Sequence, residues 1–257
     1  DSGVGGLTVL KELRRQVPGE KLIYLGDTAR VPYGTKSATT VLRYAHEAAR
    51  FLLEQKVKLL VVACNTASAV ALESLAEAYQ VPVVGVIEPG ARRAIEVSVN
   101  GRIGVVGTEG TIRSGAYERA LRRERADVVV HTAACPLFVP LAEEGWAGHE
   151  VARLTAREYL APLLAEGIDT LVLGCTHYPL IKPMLQEIVG PQVRLVDSAQ
   201  ETAKAVAAQL KTHRLQGQGQ PVSTPRYFVT DIPDRFERVG GAFLGEPLQG
   251  VTTVSLD

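Results

Sequence analysis

The chain has 257 residues, 46% of them hydrophobic and 22% charged, with 28 Lys and Arg against 28 Asp and Glu. That length allows about two domains, the neutral balance leaves no basic footprint for nucleic acid or anionic lipid, and no apolar run approaches the roughly 18 residues of a membrane span. Three cysteines are too few for a disulfide framework, and no signal-peptide pattern precedes them, so the expectation is a reducing cytoplasm and a small neutral or zwitterionic ligand.

In chain order, β-rich runs fall at 22–26, 58–64, 81–87, 102–107, 126–131, 169–175 and 193–197. Helical patterns lie between them at 38–55, 67–79, 111–124, 149–166, 180–189 and 199–210. Most of the strands are apolar without alternation, as when both faces are covered. The order predicts βαβ units, parallel sheets and right-handed crossovers. A polar stretch bearing Gly, Gln and Pro, 212–225, reads as a linker before a last strand, helix and strand at about 226–254.

The pattern repeats. RIGVVGTEGTI (102–112) is a strand with a Gly-rich turn, and the opening DSGVGGLTVL matches it without its strand. Asp1 lies 63 positions before Cys64, and Gly107 lies 68 before Cys175. VVACNTASA (61–69) and TLVLGCTHYPL (170–180) share one layout: an apolar run ending on a cysteine and followed by polar residues. Two similar halves facing each other across a pseudo-twofold axis place both cysteines beside one cleft. The expected fold is α/β, two pseudo-symmetric doubly wound domains with mainly parallel sheets and the site at their interface. The first comprises 1–92 plus 206–257 and the second 93–205.

Ligands of open α/β sheets bind beyond the carboxyl ends of strands, next to helix N-termini. Free amides near Asn65 to Ala67 and Thr176 to Tyr178 suit a carboxylate, and the same positive end favours a thiolate. A base on one face of a carbon and an acid on the other invert a stereocentre. Repulsion between two thiolates favours one thiolate with one thiol, the asymmetry inversion requires.

DSGVGG, GDTARVPYG, VVACNTASA and GCTHYP together resemble the glutamate racemases, cofactor-independent members of the aspartate/glutamate racemase superfamily, over nearly the whole chain. The resemblance implies that Cys64 deprotonates D-glutamate and Cys175 L-glutamate, with no cofactor and no metal. Asp1 and Ser2, Tyr33 and Gly34, Asn65 and Thr66, and Thr176 and His177 match substrate-binding pairs. Asp1 is expected to assist Cys64, and His177 to assist Cys175. A glutamate after CPLF joins His177: Glu144 by spacing, with Glu143 as the alternative. The resemblance further implies a homodimer that supplies D-glutamate for peptidoglycan, with aspartate racemase as the nearest alternative.

Plainer readings stand beside these. Cys135 lacks a repeat partner and reads as core. Glu143 and Glu144 alone would be a solvated pair, and Asp1 a turn residue before Gly3. Neither DSGVGG nor GTEGTIRSG fits a phosphate loop. A zinc site would need Cys64, Cys135, Cys175 and His177 to converge. Lys36 and Lys182 lack the surroundings of a pyridoxal-phosphate lysine. An amino-acid-binding module would use the same helix ends without needing paired thiols.

Overall fold

Leu7, Leu10 and Leu13 recur at helical spacing, and in the computed structural model they are buried along helix α1, Leu7–Gln16. The structure describes residues 1–217 and 224–256; residues 218–223 of the 212–225 stretch lie outside them. After α1 come β1 (Ile23–Gly26), α2 (Ala38–Glu54), β2 (Leu60–Val62), α3 (Asn65–Ala78), β3 (Val83–Gly85) and α4 (Ile87–Val97). The second half follows as β4 (Arg102–Gly107), α5 (Glu109–Arg113), α6 (Ala116–Glu124), β5 (Val129–Ala134), α7 (Phe138–Glu143), α8 (Glu150–Ala165), β6 (Thr170–Gly174), α9 (Lys182–Val189), β7 (Arg194–Asp197) and α10 (Ser198–Thr212). A C-terminal return, β8 (Arg226–Val229), α11 (Pro233–Leu244) and β9 (Val251–Thr253), closes the chain.

Every described strand pair is parallel, as the unbroken apolar runs predict. The second half has one sheet, β5-β4-β6-β7. Ile103, Val105, Val172 and Val196 face one core, packed with α4, α6 and α10. Val106, Leu171 and Leu173 face another core, with α7, α8 and α9. The first half has β1-β8-β9 and β2-β3 as separate sheets. The two halves nevertheless register. The Asp27 N–H donates to Asp1 O at 3.0 Å, and the Cys135 N–H to Gly107 O at 2.8 Å, so Asp1 stands where Gly107 stands, and Asp27 where Cys135 stands.

The structure differs from the sequence reading in several elements. The helix expected over 111–124 breaks into α5 and α6 at Gly115, whose φ of 64° is a left-handed conformation that glycine takes freely. The strand expected over 126–131 lies at 129–134. Helices α1 and α4 had not been anticipated. Pro89 lies in the first turn of α4, where a missing N–H breaks no helical hydrogen bond. No helix among the described residues is long and apolar enough to cross a membrane.

Candidate active site

Both strand-end cysteines are buried, each 6% exposed. Cys64 has extended backbone and caps α3, but its side chain makes no capping hydrogen bond, so the sulfur stays available beside the helix start. Cys175 follows β6 differently. A single 3₁₀ turn, Tyr178–Ile181, intervenes before α9, since Pro179 and Pro183 shape this stretch. The helix end expected at Thr176 to Tyr178 is therefore a short turn, and Cys175 has a side chain beside it instead.

That side chain is His177. Its Nδ1 is 3.8 Å from Cys175 Sγ and its Nε2 is 3.0 Å from Glu143 Oε1. Burial opposes the imidazolium, but the hydrogen bonds to Cys175 and Glu143 outweigh it and push His177 up to about 9. The hydrogen bond from His177, aided by the charges of His177 and Arg235, holds the Glu143 carboxyl below its ordinary value. The spacing favoured Glu144, and this is corrected. Glu143 ends α7 beside buried Ala142 and turns inward, whereas Glu144 is the exposed C-cap residue.

On the other side, Asp1 Oδ2 accepts the Gly3 N–H at 3.0 Å and lies 3.3 Å from the Tyr24 hydroxyl, which donates to Gly3 O at 2.8 Å. Burial and then the charge of Cys64 push the Tyr24 hydroxyl well up, which places Tyr24 in that thiol's field. Asp1 Oδ1 and Asn65 Oδ1 are buried with no hydrogen-bond partner among the described residues. Buried acceptors are normally paired, so these two call for a donor. Asn65 Nδ2 donates to Tyr117 at 2.8 Å. Thr66 Oγ1 lies 2.9 Å from Thr108 Oγ1 and 3.2 Å from Thr111 Oγ1. Ser2 is half-buried next to Asp1. The Tyr33 hydroxyl is taken by the Asp27 carboxylate, and the Tyr33 carbonyl accepts the Lys36 N–H at 3.0 Å.

The DSGVGG loop joins the two sides through its lack of side chains. A Cβ on Gly5 would stand 2.2 Å from Thr176 Oγ1 and 2.5 Å from His177 Nδ1, and one on Gly6 would stand 2.6 Å from Asp1 Cβ. Thr8 Oγ1, one turn on, reaches Thr176 O at 3.2 Å. The expected residues of the two halves thus converge on one region, with Asp1, Asn65 and Thr66 on the Cys64 side and Thr176, His177 and Glu143 on the Cys175 side.

Thr108, Thr111, Tyr117, Tyr24 and Arg235 had escaped the sequence reading. The repeat carried a signal for one of them, because Thr108 occupies the position matching Ser2. Cys135 lies outside the site, fully buried, and burial followed by the Cys175 charge pushes its thiol up to about 12. Among the described residues no three His, Cys, Asp or Glu side chains gather as a metal set.

The sequence profile of the Asp/Glu/Hydantoin racemase family matches residues 5–206. A glutamate racemase of Geobacter metallireducens is 60% identical over all of this chain and 95% of its own length. A glutamate racemase of Syntrophus aciditrophicus is 52% identical over the same shares. Among solved structures, a glutamate racemase isoform from Bacillus anthracis superposes with a TM-score of 0.96 at 41% identity, covering all of this chain and 96% of that one. The Francisella tularensis glutamate racemase, solved in complex with D-glutamate, gives 0.93 at 39% identity with the same coverage. With a full-length match of this kind and a duplicated parallel α/β fold, the chain belongs to the Asp/Glu/hydantoin racemase family.

Proposed function

We propose that this protein is a glutamate racemase that interconverts L- and D-glutamate with Cys64 and Cys175 as its two acid/bases and without a cofactor. The observation that carries the reading is the matched placement of two buried thiols at strand ends of a duplicated fold, with unlike polar groups behind them. Asp1 backs one side and the His177–Glu143 pair the other. The names of the relatives supply the substrate.

The substrate's ammonium is suited to the two unpaired acceptors, Asp1 Oδ1 and Asn65 Oδ1, because an ammonium has donors only. Its carboxylate is suited to the free amides where α3 begins. Ser2, Thr66, Thr176 and the backbone of Tyr33 and Gly34 complete the binding set. From D-glutamate, Cys64 as thiolate takes the α-proton while Cys175 as thiol gives one to the opposite face; from L-glutamate the roles exchange. Developing negative charge spreads into the carboxylate, where the positive helix start stabilises it. His177 keeps a proton within reach of Cys175, and Asp1 serves Cys64.

By the same family reading, the halves 1–92 with 206–257 and 93–205 close on the substrate. The protein acts in the cytoplasm as a homodimer, and its product supplies peptidoglycan. The test is circular dichroism of enzyme dialysed against chelator, with each enantiomer of glutamate and of aspartate. Both glutamate signals should decay to zero. Faster decay with aspartate would overturn the substrate assignment, and activity lost to chelator but restored by zinc would overturn the thiol-only mechanism.

A further inference from the structure

Glu143 has two carboxylate oxygens, and only Oε1 is engaged by His177. Oε2 accepts a hydrogen bond at 3.0 Å from Nη2 of Arg235, in the first turn of α11. We propose that Arg235 is a positioning residue for the second thiol: by holding Glu143 it fixes His177 against Cys175. This rests on the two-thiol reading above and extends it to the C-terminal helix.

Three features support the assignment. First, Glu143 is the last residue of the short helix α7, and one residue separates it from Gly145 at φ 74°. A carboxylate at such an end, held through one oxygen, is free to swing. Two oxygens held from two different elements fix its plane, and so fix the imidazole bonded to it.

Second, the charge has the right sign and permanence. The groups facing Glu143 are His177 and Arg235, with Asp231 lining the same cavity. The groups facing His177 are Glu143 and Cys175. A lone carboxylate competes with the imidazole for its proton. A guanidinium behind it, charged at every working pH, keeps Glu143 ionised and leaves the proton on His177.

Third, α11 touches His177 itself. The Phe243 ring meets the imidazole edge-on at 5.3 Å and 87°. One helix therefore braces the imidazole directly through an apolar ring and, through Glu143, by a charge.

Racemisation rates cannot test this alone. The two enantiomers are equally stable in water, so kcat/KM for the two directions must fall together whichever face is damaged. A one-face reaction is needed. In a glutamate analogue bearing a β-chloride, the thiolate takes the α-proton, the Cα–H electron pair becomes the Cα=Cβ bond, and chloride leaves with its own pair. No second acid or oxidant is required. The L-configured analogue depends on Cys175 and the D-configured one on Cys64.

Arg235→Gln should slow elimination from the L-configured analogue about tenfold and change the D-configured rate less than about twofold. The loss is modest because the arginine side chain is 49% exposed and its pairing is screened. Arg235→Lys should restore most of the rate, and Glu143→Gln should show the same bias more strongly. Thermal melting establishes that each variant is folded. Equal losses for both analogues in Arg235→Gln, or no loss while Glu143→Gln keeps its bias, would overturn the role of Arg235 and leave the two-thiol reading standing. If Cys175→Ser spares the L-configured analogue, the two-thiol reading itself falls, and this inference with it.

Discussion

The three thiols differ in what surrounds them, and that difference is measurable. Cys135 has burial and then the Cys175 charge against its ionisation, and its thiol is pushed up to about 12. Cys64 stands at a helix start and Cys175 beside His177. Thiol reactivity follows the thiolate, so iodoacetamide should modify Cys64 and Cys175 and glutamate should protect both, with Cys135 labelled only after unfolding. Peptide mass mapping reads this out, and glutamate-sensitive labelling of Cys135 alone would remove the assignment. His177 gives a second prediction. Its folded value of about 9 exceeds the ordinary 6.5, so the folded state keeps a proton that the unfolded chain releases between those limits. The stabilisation is complete below about pH 6.5 and is lost as pH rises through about 9. The Tm advantage of the wild type over His177→Asn should shrink across that window, and a constant difference would contradict the raised His177 value.

Among the elements, the loop before α1 is the most exacting. Gly5 lies so close to Thr176 and His177 that one methyl group would overlap both. Gly5→Ala should lower kcat/KM about 100-fold, the order expected when a catalytic group shifts by about an ångström, with Tm falling much less, because α1 is held by Leu7, Leu10 and Leu13 elsewhere. Equal damage to stability and activity would make the glycine structural only. The sequence made part of this legible. Strand ends were readable because unbroken apolar runs stop abruptly at Cys64 and Cys175, and the repeat then paired them. Helix α1 was missed because DSGVGG reads as a turn. Helix α4 was missed because Pro89 and Gly90 look like breakers unless one knows that they occupy its first turn. Glu143 and Glu144 could not be separated because a single step around a six-residue helix decides which faces inward. Arg235 was out of reach altogether, since its place depends on where a segment 92 positions from Glu143 returns.

At the scale of the molecule, each half ends on a helix that leans on the other. Helix α4 packs on α6, β6 and β7, while α10 packs on α1, β3 and α4. The domain limits expected at 92/93 and 205/206 fall inside these two helices, so movement of one half against the other would slide packed helices as well as bend the connections. With glutamate bound, amide hydrogen exchange should slow together at 1–6, 64–67, 108–111 and 175–178, which belong to both halves. Slowing confined to one half would contradict a shared site. The correspondence of Asp1 with Gly107 and of Asp27 with Cys135 has a stereochemical consequence. A planar carbanion looks the same from its two faces by reflection, but a chain of L-amino acids can repeat itself only by rotation. Turning the site by half a revolution about an axis in that plane exchanges the thiols, and it also exchanges two of the three different substituents on the carbon. The bases can be alike, then, but the groups that bind carboxylate, ammonium and side chain cannot. Asn65 and Thr66 must therefore differ from Thr176 and His177. A protein made by joining two identical halves could hold its bases symmetrically and still fail to seat an amino acid between them.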